Sequence, residues 1–206
     1  SASNVTITFN QSPTVASAGA DQNFCGTTVT LGANAPGVGT GAWSFVVNPD
    51  GLPLTAFSNT ALPTSSFTGT AGQTYVLRWT ISNGVCPPSS EDVQIGLDQA
   101  PTASVAGVNQ TICGTSTTLN GNAPAIGTGQ WSFTSNPDGL GAISDINSRT
   151  SLFTGTPGQS YILTWTISNG TCAPSASNVT ITFNQSPTTA NAGADQNFCG
   201  SRVTLG

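Results

Sequence analysis

Residues 74–82 read TYVLRWTIS, and the pattern of these nine residues is the strongest indication of how the chain folds. Its large apolar side chains fall on every second position, and the positions between them hold smaller or polar residues. A period of two residues is typical of a β-strand with one buried face and one exposed face. We therefore predict a half-buried strand. The predicted inner face is Tyr75, Leu77, Trp79 and Ile81, and the outer face is Val76, Arg78 and Thr80.

The strand belongs to an internal repeat of about 87 residues. Three segments and their second copies establish the spacing: YVLRWTISNGVC (75–86) and YILTWTISNGTC (161–172), GTGAWSF (39–45) and GTGQWSF (127–133), and NPDGL at 48–52 and 136–140. We predict four parts of the chain. They are the last strand of a preceding repeat (1–10), two whole repeats (11–98 and 99–184), and the first strands of the next repeat (185–206).

The repeats are of two alternating types. Residues 1–32 return at 175–206 with differences at only four positions, which are 15, 17, 27 and 28. The equivalent stretch between them, SSEDVQIGLDQAPT at 89–102, keeps the alternating apolar residues and changes most of the polar ones. This pattern indicates that the unit of duplication is a pair of repeats.

Each repeat is predicted to be antiparallel β structure. The closing strand alternates as Val93, Ile95 and Leu97, and the Asn-Gly pairs at 83–84 and 169–170 have the chemistry of hairpin turns. The Pro-Asp-Gly segments at 49–51 and 137–139 are typical of turns with proline at the second position. About seven short strands in roughly 87 residues, with no helical period, predict tandem immunoglobulin-like β-sandwiches in an elongated string.

Four runs carry a family resemblance: AGADQNFCGTTVTLGA, GAWSF, TYVLRWTISNGVC and EDVQIGL. Together they resemble the PKD-like and immunoglobulin-like repeats of giant surface adhesins in Bacteroidota, including the SprB-type gliding adhesins that the type IX secretion system exports. The resemblance implies an extracellular, cell-surface filament or stalk in cell adhesion or gliding motility. It also implies partners: neighbouring repeats of the same chain, and a surface glycan or protein bound at a distal region.

Composition excludes several functions. Charged residues make up 5% of the chain and the formal net charge is −5, so three arginines cannot neutralise a nucleic-acid backbone. No apolar run approaches the length of a membrane-spanning helix. The chain contains no histidine and no lysine, which removes histidine triads, histidine metal sites and lysine Schiff bases. We predict no enzymatic activity and no cofactor.

The five cysteines, Cys25, Cys86, Cys113, Cys172 and Cys199, are predicted to form structural disulfides because no CxxC spacing suggests zinc. One pairing lies within each unit, Cys25–Cys86 and Cys113–Cys172. The other crosses between units, Cys25–Cys172. Within one sandwich the first pairing joins opposite ends of strands about 30 Å long, whereas bridged Cα atoms lie within about 7 Å. Both pairings remain open at this stage.

Two further sites and two further functions were considered. Asp21 and Asp195 suggest calcium at unit junctions, but Asn109 replaces the acid in the middle repeat, which favours a turn-forming side chain. The four tryptophans alternate in phase with other apolar residues, which favours core positions over a sugar-stacking surface. The alternative functions are a carbohydrate-binding accessory module of a secreted enzyme, and a filament subunit that self-assembles through edge strands such as NVTITF.

Overall fold

The computed structural model describes residues 3–195, 197 and 199–201. These residues fold into two all-β sandwiches, the first within residues 22–98 and the second within residues 110–184. In this described part, the only helical segment is a 3-10 turn at Leu54–Ala56, and no helix is long and apolar enough to cross a membrane. The predicted fold class, tandem immunoglobulin-like sandwiches, is confirmed.

The first sandwich packs a four-stranded sheet against a two-stranded sheet. Its strands are β1 (Gln22–Cys25), β2 (Thr28–Thr30), β3 (Thr40–Val47), β4 (Ser66–Thr68), β5 (Thr74–Asn83) and β6 (Cys86–Asp98). The larger sheet has the order β1-β6-β5-β3, and the smaller sheet pairs β2 with β4. β1 runs parallel to β6, and the other neighbours are antiparallel.

The second sandwich repeats this topology with one additional short strand. Its strands are β7 (Gln110–Cys113), β8 (Ser116–Thr118), β9 (Thr128–Ser135), β10 (Ala142–Ile143), β11 (Leu152–Thr154), β12 (Ser160–Ser168) and β13 (Ser175–Asn184). The sheets have the orders β7-β13-β12-β9 and β10-β11-β8. At the place of β10 the first sandwich has only an isolated bridge between Phe57 and Phe67, so it has six strands instead of the predicted seven.

The core lies between the two sheets of each sandwich and follows the predicted alternation. On β5, the inner residues Tyr75, Leu77, Trp79 and Ile81 are fully buried. The four tryptophans are at most 2% exposed, which confirms their core positions. They pair across the sheet with ring centroids 5.1 Å apart for Trp43–Trp79 and 4.9 Å apart for Trp131–Trp165. Burial of large aromatic rings is the main favourable contribution to such a core.

The aspartate of each NPDGL turn is bound to the core tyrosine. The Tyr75 hydroxyl donates to Asp50 Oδ2 at 2.8 Å and accepts from the backbone N–H of Thr70 at 2.8 Å. In the second sandwich, Tyr161 donates to Asp138 Oδ2 at 2.9 Å. Hydrogen bonds from Thr70 and then from Tyr75 hold the pKa of Asp50 below its ordinary value, and burial raises the pKa of Tyr75. These bonds tie an exposed turn to the buried strand.

The two ends of the chain contain no strand in the described residues. Residues 3–10 are not paired, and the side chains of Val5, Ile7 and Phe9 are at least 71% exposed. A closing strand needs a neighbour on each side, as β13 has in β12 and β7, and residues 3–10 have no such strands beside them in the described part of the chain. The assignments of 1–10 and 185–206 to flanking repeats stay predictions. Residues 196, 198 and 202–206 of the second segment lie outside the described residues.

Candidate functional site

The candidate functional site is the contact between the two sandwiches, which we call the junction. It consists of Cys25 and Gly26 at the end of β1, Asp98 and Gln99 at the end of β6, and the turn at residues 169–172. Cys25 and Cys172 form a disulfide across it, with sulfur atoms 2.06 Å apart and Cα atoms 4.7 Å apart. The bond joins residues 147 positions apart, so it connects one sandwich covalently to the next.

Strand pairing brings Cys25 to the junction. Cys25 is the last residue of β1 and pairs with Asp98, the last residue of β6. The Gly26 N–H donates to the Asp98 carbonyl oxygen at 2.9 Å, and the sulfur of Cys172 lies 3.6 Å from the same oxygen. β6 ends at Asp98 and leads directly into residues 99–101, the linker to the second sandwich. The end of β1 is therefore held beside the turn at residues 169–172 of that sandwich.

The side chain of Asp98 also crosses the junction. Its Oδ2 accepts from the Thr171 N–H at 2.7 Å and from the Thr171 hydroxyl at 2.8 Å. These two bonds, the backbone N–H first, hold the pKa of Asp98 below its ordinary value. The close approach requires glycine at Gly170, where φ is +51° and an added Cβ lies 2.2 Å from Asp98 Oδ2.

The predicted Asn-Gly turn has a second role that sequence reasoning missed. The Asn169 side-chain amide donates to the carbonyl oxygen of Gln99 at 2.7 Å, while the Asn169 carbonyl accepts from the Cys172 N–H at 3.1 Å. The same asparagine therefore closes its own turn and binds the linker. The available signal was the order Asn-Gly-x-Cys, which is present in both repeats.

The within-unit pairing, Cys25–Cys86 and Cys113–Cys172, is not present in the structure. Cys25 lies beside Asp98 at the end of β6, whereas Cys86 is the first residue of that 13-residue strand. At about 3.3 Å per residue, the two cysteines are about 40 Å apart. Cys113 likewise pairs with Asn184 at the end of β13, whereas Cys172 precedes that strand. Cys86, Cys113 and Cys199 are free thiols.

The aspartates considered for calcium have another role where the structure describes their contacts. Asp21 Oδ1 accepts from the Gln94 N–H at 2.8 Å, and Asn109 Oδ1 accepts from the Thr180 N–H at 2.9 Å. In each repeat this side chain holds the segment before the first strand against the last strand. Asp195 is exposed. Within the described part of the chain, no three His, Cys, Asp or Glu side chains are grouped to hold a metal ion.

A pocket of about 630 Å³ opens on the second sandwich near the end of β12. Its lining includes the buried Trp165 and the exposed polar side chains of Gln130, Asn147 and Arg149. Gln130 donates to Asn147 Oδ1 at 3.3 Å. In the matched GTGAWSF segment of the first sandwich, Ala42 takes the place of Gln130. The hydrogen bond between Gln130 and Asn147 is therefore specific to the second repeat type.

Comparison with solved structures supports the fold. Sidekick-1 immunoglobulin domains 1–4 match at 12% identity over 88% of this chain and 51% of that chain, with a TM-score of 0.56. The Rst D1-D2 structure matches at 11% identity over 84% of this chain and 100% of that chain, with a TM-score of 0.52. A three-domain immunoglobulin segment of titin matches at 11% identity over 83% of this chain and 65% of that chain, with a TM-score of 0.50.

At these identities the likeness defines the fold class and no more: tandem immunoglobulin-like β-sandwich domains. The chain spans about half the length of the Sidekick-1 structure. No protein-family model matches the chain, and no curated protein matches it.

Proposed function

We propose that this chain is a stiff spacer segment of an extracellular adhesin or surface filament. The observation that carries the proposal is the Cys25–Cys172 disulfide, which joins consecutive sandwiches instead of stabilising one of them. The Asp98–Thr171 and Asn169–Gln99 hydrogen bonds fix the same contact without covalent bonds. A disulfide is typical of a protein outside the reducing cytosol, which supports an extracellular location.

The disulfide has a direct mechanical consequence. A force applied at the two ends of the chain passes through Cys25 to Cys172 and bypasses the 147 residue steps between them. At about 3.5 Å per extended residue, that segment has a contour length of about 500 Å that cannot be released while the bond is intact. The loop contains strands β2 to β12, whereas β13 lies outside it, so tension at the C-terminal end acts on β13 and cannot extend the segment between the two cysteines.

Single-molecule pulling tests this role. In the oxidised chain held at its two ends, we expect no step of whole-domain size, because only the residues outside the loop, 1–24 and 173–206, can extend. Cys25→Ser should restore unfolding steps that sum to about 500 Å of contour length. Cys113→Ser is the matched control, because it removes a thiol from the equivalent strand end and leaves the Cys25–Cys172 bond in place. Unfolding steps of full size in the oxidised protein contradict the proposal.

The assignment of the segment to cell adhesion or gliding motility rests on the resemblance of the repeats to Bacteroidota surface adhesins. On that basis the segment holds a distal binding region away from the cell in adhesion or gliding motility, after export by type IX secretion. Antibodies raised against the chain should label intact, unpermeabilised cells of the source organism. Labelling that requires permeabilisation contradicts the surface location.

A second candidate function is carbohydrate binding, and the pocket on the second sandwich favours it. Sugar sites place a few polar side chains at a concave surface, and this pocket brings the exposed side chains of Gln130, Asn147 and Arg149 together beside the buried Trp165. A glycan array with the purified chain tests the idea. Specific binding that Arg149→Ala removes supports a carbohydrate-binding module, while Arg78→Ala on the first sandwich is the control. Absence of binding leaves the spacer as the function of the segment.

A further inference from the structure

The thiols of Cys86 and Cys113 lie in the same two environments as the bonded pair. The sulfur of Cys86 is 3.7 Å from the carbonyl oxygen of Asn10, and that of Cys172 is 3.6 Å from the carbonyl oxygen of Asp98. The linker contact beside each is also the same. Asn83 donates to the Gln11 carbonyl at 2.7 Å, as Asn169 does to the Gln99 carbonyl. The turn that holds Cys86 thus already binds its linker as the turn at the junction does.

Cys113 matches the other half of the bonded pair. It is the last residue of β7 and pairs with Asn184, the last residue of β13, as Cys25 pairs with Asp98. A glycine with positive φ follows both cysteines, Gly26 at +110° and Gly114 at +144°. Cys113 is exposed, so nothing in the described chain covers the face on which a partner would dock.

Because a ten-residue segment occurs twice, the surroundings of Cys86 and those of Cys113 can be superposed on each other. The strand that ends at Asn184 beside Cys113 has the same ten residues as the segment that ends at Asn10 beside Cys86. When residues 1–10 occupy the place of β13 in a preceding repeat pair, Asn10 coincides with Asn184. Cys113 of the preceding pair then lies opposite Cys86, in the arrangement that sets the Cα atoms of Cys25 and Cys172 4.7 Å apart.

We propose that Cys113 of one repeat pair forms a disulfide with Cys86 of the following repeat pair. The partner is thus a further copy of this same two-repeat block, and residues 185–206, which match 11–32 at all but four positions, are its beginning. The inference rests on the proposed spacer function. It extends the single observed bridge to every junction of an array.

The bond formation is an ordinary thiol oxidation. Two thiols lose two protons and two electrons and form one S–S bond. A disulfide of a thiol–disulfide oxidoreductase, or a small-molecule disulfide, accepts the electrons and protons by exchange and becomes two thiols. With every junction closed in this way, no repeat in the array can unfold and extend independently of its neighbours.

A lengthened chain tests the inference. Residues 33–184 are appended after residue 206, which completes two more repeats in the register of the sequence. The added copy carries the exposed substitutions Ser90→Thr and Thr115→Ser, which give its Cys86 and Cys113 peptides masses different from those of the first copy. The protein is oxidised with oxidised glutathione, digested with thermolysin without reduction, and mapped by mass spectrometry. Its eight cysteines are the five of this chain and three from the added copy. We expect a peptide joining Cys113 to the added copy of Cys86, and two free thiols in the intact protein.

The outcomes separate this inference from the proposed function. Four free thiols with Cys25–Cys172 intact overturn the inference and leave the spacer function standing. A free thiol at Cys25 in the oxidised protein contradicts the spacer function itself. A peptide joining Cys113 to Cys199, or to a second molecule, also overturns the inference. In the matched control, Cys113→Ser should leave the added copy of Cys86 free while Cys25–Cys172 still forms.

Discussion

The segment SASNVTITFN occurs twice in this chain, and its two copies differ completely in structure. At 175–184 it is β13, with Val179, Ile181 and Phe183 at most 1% exposed. At 1–10 its described residues form no strand, and Phe9, the counterpart of Phe183, is 93% exposed. Since the residues are identical, the difference comes entirely from the neighbours. β13 lies between β12 and β7, and residues 3–10 have no such pair of strands beside them.

The comparison shows what an alternating pattern can and cannot specify. It determines which face of a strand is apolar, and that face is the same in both copies. It does not by itself form a strand, because extended backbone needs hydrogen-bond partners on the adjoining strands and the apolar side chains need a facing sheet. The exposed copy therefore has the sequence pattern of a closing strand, and its described residues have no adjoining strands to pair with.

Removal of the buried copy should produce the largest effect. In a chain that ends at Pro174, the place of β13 is vacant, and residues 1–10 of a second molecule have the sequence that fills it. We expect head-to-tail oligomers of open, heterologous type. Size-exclusion chromatography with light scattering should detect a series of sizes that grows with protein concentration.

Two controls test whether this assembly is specific. The free peptide SASNVTITFN, added in excess, should occupy the vacant place and reduce the oligomers to single chains. Phe9→Asp in the shortened chain should prevent assembly, because the charge cannot enter the core position of Phe183 without a large desolvation cost. Aggregation that neither the peptide nor Phe9→Asp changes contradicts the expected strand exchange.

A matched pair of alanine substitutions measures the contribution of burial in the two copies. Phe183→Ala should lower the free energy of unfolding by about 3–5 kcal/mol, because it leaves a cavity beside Phe153 and Tyr161. Phe9→Ala should change it by less than about 0.5 kcal/mol, since that ring is exposed. Urea unfolding followed by tryptophan fluorescence measures both. Equal effects would show that the exposed copy is also packed in solution.

The place that receives Phe183 is shaped by a glycine. An alanine Cβ at Gly155 lies 2.5 Å from the ring of Tyr161 and 2.6 Å from that of Phe183. Gly155→Ala should therefore destabilise the second sandwich by about 1–3 kcal/mol. Gly32→Ala is the control, because its Cβ has no neighbour within 4 Å, and it should be nearly neutral. Adding Phe183→Leu should recover part of the loss; strictly additive effects would place the strain elsewhere.

Most of the fold was predictable from these local patterns. The inner face of β5, the core positions of the tryptophans and the turns at the Asn-Gly pairs all follow from residue type and spacing. The first sandwich has no strand at the place of β10, and this was not predictable. It has a single backbone bridge there, at Phe57, whereas the second sandwich has the two paired residues that make β10 a strand. The structure of residues 3–10 was not predictable either, since it depends on neighbours that no pattern within the segment encodes.

The junction was predictable only in part. The Cys25–Cys172 pair was one of two alternatives, and strand length alone made the within-unit pairing difficult to form. The polar contacts around the disulfide were missed. Asp98 and Asn169 each bind across the junction through a side-chain atom, and the sequence pattern carries no signal for either contact. Such contacts depend on how two sandwiches are oriented, which sequence spacing does not specify.

The last residue of the closing strand gives the smallest and most specific prediction. Asp98 holds this position at the junction, and Asn10 holds it in the exposed copy, where Val85 takes the place of Thr171. The hydrogen bonds from Thr171 lower the pKa of Asp98 below its ordinary value of 3.8. A depressed carboxyl pKa strengthens the junction above that value, and the contribution is lost as the pH falls through the folded pKa.

The Thr171 amide resonance reports this titration in a nuclear magnetic resonance experiment. Its chemical shift should change with a midpoint below 3.8, and Asp98→Asn should abolish the transition. The Val85 amide is the internal control, because Asn10 carries no charge, and it should stay constant over the same range. A midpoint at or above 3.8 would mean that Asp98 is not held by Thr171 in solution. The disulfide would then be the principal link between the sandwiches, and acid would leave their relative orientation unchanged.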